Sequence, residues 1–377
     1  MAELAEVTIS ERQVGRIAHE VGQQLQADRD DHVSSFQAKT LAPRVSTRPA
    51  LAVIEVDGGR LQIRGQGDGP GAHEPTWRED KIAILATMAN AVSDSDPEPE
   101  LPDCYRDRVY VEHLVASMSG SGSMGTQEAP AEGLPPPSVD RVEPRKRPEL
   151  SVRTYVASTC SSEQFGPMVA AEAWRRNLPK AVHQAFLGDG SAWIWKLQQL
   201  HFPTFLAILD FLHGLGHVFA AARAAAIDVE GRWELFEAWA EACWKGRVDQ
   251  VIVELRTLRD AQASFLGDEV EQLADDDPRK IIAQELGYLE RNRERMDYPS
   301  YRRLGLPWTS SHVESTVKIF NRRVKGSEKF WGEAGAEAML QLRASFLSED
   351  GRLDRYLKER PASPFRNYKT RGTGKAA

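Results

Sequence analysis

The run Leu51-Ala-Val-Ile-Glu-Val-Asp57 limits the fold more than any other stretch of this chain, because it is an apolar β-strand signal that closes on a carboxylate. A second strand signal closes the same way, in Phe186-Leu-Gly-Asp189, and a third acid, Glu314, opens the helical stretch Ser310 to Gly326. A carboxylate at the end of a buried strand is unfavourable unless it finds donors or a cation. Three such groups brought together repel until a divalent metal joins them. Asp57, Asp189 and Glu314 are therefore expected to form a metal site.

Each position also has a local explanation. Asp57 precedes Gly58-Gly59 and Asp189 precedes Gly190, so both could start tight turns. Glu314 stands three residues after Ser311, the spacing of a capping box. Their joint arrangement favours the metal site. A first strand, a Gly-Gly turn, a second strand in Leu61-Gln-Ile-Arg-Gly65 and a third in Lys81 to Met88 precede an interruption. The helical segment Ser161 to Asn177, a fourth strand ending at Asp189 and a fifth in Phe202 to Asp210 follow. This is the order of an α/β, ribonuclease H-like mixed sheet flanked by helices, in which the ends of the first and fourth strands meet and a late helix supplies the third carboxylate.

With those motifs the chain resembles the DDE transposases of bacterial insertion sequences, specifically the ISKra type, relatives of the eukaryotic Mutator-like enzymes. The likeness rests on AVIEVDGG, on FLGDGSAWIW followed by HFPTFLAILDFLHGLGH, and on SSHVESTVK with NRRVKGSEKFW behind it, and runs from about Val14 to Trp331. Asp210-Phe-Leu-His213 matches the family's Asp or Cys, two residues, then His. The resemblance implies two Mg²⁺ or Mn²⁺ ions on Asp57, Asp189 and Glu314, with Asp210 and His213 supporting them. It implies double-stranded DNA as partner, both transposon ends and target, and a homo-oligomer assembled on it. Relatives usually have a longer end-recognition region; here about fifty residues precede Asp57.

Along the chain, residues 1–46 suit an amphipathic helix capped at Thr8-Ile-Ser10, with a possible part in DNA binding. Residues 47–219 are expected to be the first part of the catalytic core, interrupted by the Gly-, Ser- and Pro-rich insertion 119–150. Residues 220–305 look all-helical, with Trp233, Trp239 and Trp244 as core residues. Residues 306–347 return to the core through the last catalytic helix, and 348–377 form a basic tail.

The net charge of −7 sits poorly with a chain coated in DNA phosphate, but Arg322, Arg323, Lys325 and Lys329 cluster just past Glu314 and could hold phosphates there. An ordinary solvated helix face is the alternative. His213 and His217 have the i, i+4 spacing of zinc ligands, without the further ligands that zinc needs. The 3 cysteines are scattered, with no pair at metal-ligand spacing, which argues against a disulfide framework and secretion. No apolar run is of membrane-spanning length and no signal peptide is evident, so the expected location is the cytoplasm, away from membranes. A ribonuclease H-like nuclease of other purpose, or a catalytically idle DNA-binding relative, fits the same strand order. The intact carboxylates and the Asp210–His213 motif favour the transposase.

Overall fold

The computed structural model describes residues 10–64, 76–119, 148–226, 228–263, 273–309 and 331–359. It opens with helix α1 (Glu11–Gln37), started as expected at Ser10, whose side chain accepts from the Gln13 N–H while Gln13 reaches back to the Ser10 N–H. Next come strands β1 (Leu51–Ile63) and β2 (Thr76–Met88), helix α2 (Arg108–Ser119) and strand β3 (Leu150–Ser158). Helix α3 (Ser162–Arg175), β4 (His183–Gly188), α4 (Ala192–His201) and β5 (Leu206–Leu209) complete the sheet region.

The five strands form one mixed sheet in the order β3-β2-β1-β4-β5, with β2 antiparallel to both of its neighbours and β1, β4 and β5 parallel. Side chains alternate across it, and both faces are covered. Ala83 and Leu85 of β2 point into the large core shared with Phe165 and Val169 of α3. Ile82 and Ile84 point the other way, into a smaller core closed by Ala336, Leu340 and Ala344 of helix α10 (Glu333–Leu347).

Two strand assignments differ from expectation. Gly58-Gly59 is no turn: β1 runs straight through it, paired with β2 from Leu51↔Met88 to Ile63↔Thr76, so the expected second strand is the far half of β1. Burial of Leu61 and Ile63 holds that half in the sheet, and Gly59 is needed because a Cβ there would lie 2.7 Å from Asp80 Oδ1. The strand missing from the expected set is β3, just after the Gly- and Pro-rich insertion, whose residues 120–147 lie outside the described residues.

After β5 the described chain is helical up to Arg303: α5 (Phe211–Ala225), α6 (Val229–Trp244), α7 (Val248–Ala263), α8 (Pro278–Asn292) and α9 (Tyr298–Arg303). Trp239 and Trp244 are buried and Trp233 packs partly buried against the same core. Helix α11 (Arg352–Glu359) follows α10. The helix α1 lies across α10 so closely that a Cβ on Gly22 would run into the Ala338 carbonyl oxygen. Among the described residues no helix is long and apolar enough to cross a membrane.

Candidate active site

The register of the three parallel strands lines up the acids. β1 pairs with β4 as far as Glu55↔Leu187, and β4 with β5 as far as Gly188↔Leu209. Carrying those registers one or two residues further brings Asp57, Asp189 and Asp210 level across three neighbouring strands. Asp57 does not close β1, which continues beside β2, but it lies just past the end of the β1–β4 ladder.

Local bonding holds each acid. Asp57 Oδ1 accepts from the Gly58 N–H at 2.7 Å. Asp189 accepts from Ser191 twice, from its N–H at 2.8 Å and its hydroxyl at 3.0 Å, which makes a compact turn into α4. Asp210 caps α5, its Oδ1 accepting from Leu212 N–H at 2.7 Å and His213 N–H at 3.3 Å, and its own N–H donates to the Gly188 carbonyl at 2.9 Å.

The acids feel one another. Although part of Asp57 reaches solvent, the protein packed around it pushes its pKa up to about 6; the His213 cation pulls it down, and the Asp189 and Asp210 charges push it further up. Burial by itself lowers the pKa of His213, yet Asp210, then Asp57 and Asp189, outweigh it and raise it to about 10. His213 Nδ1 stands 3.8 Å from Asp210 Oδ1, longer than a hydrogen bond, so their pairing is one of charge. The motif Asp210-Phe-Leu-His213 thus places an acid and a cation beside the Asp57–Asp189 pair.

His217 turns elsewhere. Its Nδ1 meets Glu285 Oε2 at 2.5 Å and its ring stacks on Tyr288 with centroids 3.4 Å apart, so the two histidines serve different partners. Glu314 and the basic cluster Arg322, Arg323, Lys325 and Lys329 lie outside the described residues. Among the described residues no three His, Cys, Asp or Glu side chains stand close enough to hold a metal ion. What the strand ends present is part of a hard-oxygen donor set: two carboxylates whose mutual repulsion a divalent cation would relieve.

A further acid, Glu55, stands two residues before Asp57 on the same strand face. It is 1% exposed, and neither carboxylate oxygen has a hydrogen-bond partner among the described residues. Burial, with the nearby Asp210 charge adding to it and Arg153 opposing, raises its pKa to about 8. The two-residue period of the strand was the available clue, since it puts Glu55 and Asp57 on one face.

Compared with models of known protein families and with curated proteins, the sequence matches none.

Proposed function

We propose that this chain is a DNA transposase of the DDE type, cutting phosphodiesters at transposon ends and joining the freed ends to target DNA. The observation that carries the proposal is the row of Asp57, Asp189 and Asp210 level across three adjacent parallel strands, just past the end of the β1–β4 ladder, with His213 beside it. The strand order β3-β2-β1-β4-β5, with β2 alone reversed, supports a ribonuclease H-like fold, whose chemistry sits where the first and fourth strands end.

In this proposal Asp57, Asp189 and Glu314 hold two Mg²⁺ or Mn²⁺ ions, which when bound activate an attacking oxygen and stabilise the leaving 3′ oxygen. The chain's own residues prepare that site. Burial and the neighbouring Asp189 and Asp210 charges raise the pKa of Asp57, and a bound cation would offset that and favour the anionic ligand. Asp210 keeps His213 charged and in place, presenting a cation to an incoming phosphate. Arg322, Arg323, Lys325 and Lys329 are assigned to the DNA backbone, and assembly of several copies on DNA would bring two ends and a target together.

The test is cleavage and strand transfer on DNA carrying the sequences that flank the gene, with Mg²⁺. Asp189→Asn should abolish cleavage while leaving DNA affinity equal or higher, because it removes a ligand and a negative charge. Arg322→Ala with Arg323→Ala should weaken binding to any sequence and flatten its salt dependence. Wild-type cleavage rates from Asp189→Asn would end the catalytic assignment.

A further inference from the structure

Two tyrosines from the helical region reach the strand ends that carry the acids. Tyr288, on α8, donates its hydroxyl to the Asp189 carbonyl at 2.6 Å. Tyr298, at the start of α9, donates to the Leu209 carbonyl at 3.1 Å, one residue before Asp210. Both side chains are buried. Two neighbouring strand tips are thus gripped through their main chain by side chains distant in sequence.

Each grip is itself braced. The chain leaves Asp189 through Gly190, at φ +98, pressed so tightly under Tyr288 that a Cβ there would lie 2.6 Å from the phenol oxygen. On its other side the Tyr288 ring is stacked by His217, which Glu285 holds. Tyr298 meets Phe211 and Tyr301 edge-on, with centroids 5.1 and 5.9 Å away.

Such bracing matters where like charges meet. Asp189 lies past the last residue of the β4 ladder, where no strand pairing holds its main chain against repulsion from Asp57. Metal and phosphate chemistry tolerates misplacement of only about 0.5 Å.

We infer that Tyr288 and Tyr298 are positioning residues, which hold the main chain under Asp189 and Asp210 so that the carboxylate row keeps its spacing when a divalent cation binds. The inference rests on the metal-binding proposal above. The helical region thereby has a defined task at the active site.

The experiment compares wild type, Asp189→Asn, Tyr288→Phe and Tyr298→Phe by calorimetric titration with Mn²⁺, and by amide exchange of the metal-free proteins. Each tyrosine variant removes one hydroxyl and leaves its ring contacts, and the two bonds are separate, so either variant alone decides. Expected are Mn²⁺ affinities about 10- to 100-fold weaker than wild type. Faster exchange is expected at the Ser191 amide in Tyr288→Phe and at the Asp210 amide in Tyr298→Phe, with melting temperatures well above that of the assay. Wild-type affinity in the tyrosine variants, alongside weakened binding by Asp189→Asn, overturns the inference and leaves the metal proposal standing. A wild type that binds no Mn²⁺ overturns both.

Discussion

Two regions beside the sheet bury carboxylates in opposite ways. Glu337 on α10 and Glu172 on α3 are both buried, yet both are held below the usual carboxylate range. Burial would raise them. Glu337 is offset by Arg29 at 2.6 Å, Ser158 at 2.9 Å and the Thr159 N–H at 2.9 Å, and Glu172 by Arg352 and Arg175. At the strand ends Glu55 and Asp57 are pushed the other way, to about 8 and about 6, because burial there meets further acids. Burial alone therefore does not mark a functional acid. What distinguishes the strand ends is charge left unbalanced, which a fold built only for stability would have neutralised.

Substitutions can break this contrast, the largest effect first. Arg29→Met strands Glu337 in the interior and should lower unfolding free energy by about 3 kcal/mol in denaturant titration, with part recovered by Glu337→Gln. Glu55→Gln should do the reverse. Since the folded pKa of Glu55 lies near 8, above its ordinary 4.5, the folded state holds an extra proton between those values. Its contribution is fully present below about pH 4.5 and falls as pH rises through 8, by up to about 1.4 kcal/mol per pH unit. Glu55→Gln should remove that slope and stabilise the protein at pH 7 by about 1–3 kcal/mol. A wild type whose stability rises between pH 5 and 8 with no change on Glu55→Gln would contradict the contrast.

His213→Ala sharpens the comparison at the site itself. Cleavage should fall about 10- to 100-fold with the fold intact. Asp57 should titrate at a higher pH, because the cation that pulls it down is gone. An Asp57 titration unmoved by the substitution, followed by NMR, would remove His213 from the site. The smallest effect belongs far away: Ser10→Ala should lower stability by about 1 kcal/mol or less, fraying the first turn of α1 and leaving metal affinity unchanged.

What could be read in advance was what local pattern controls. The Ser10 cap, the apolar stretch opening β1, the strand before Asp189 and the buried Trp239 and Trp244 all follow from periodicity and residue type. Gly58-Gly59 misled because glycine pairs favour turns, while the decisive fact, a neighbouring strand that sets the Asp80 carboxylate where a Cβ would stand, is tertiary. β3 escaped because Ser151-Val-Arg-Thr-Tyr155 alternates weakly and follows a long polar insertion. Tyr288 and Tyr298 could not have been picked from the helical region, since nothing local tells a tyrosine that meets a strand-end carbonyl from one that fills a core.

The crossing of α1 over α10 has a consequence for how the protein is made. Arg29 and Glu337 are 308 residues apart in the chain, so α1 is made well before the helix it lies across. At ~5–20 residues per second that interval is about 15–60 s. Throughout it, the bare backbone at Gly22, which meets Ala338 in the finished molecule, lacks that seat on the nascent chain. The ribosome, rather than the sheet, sets when this fold can close.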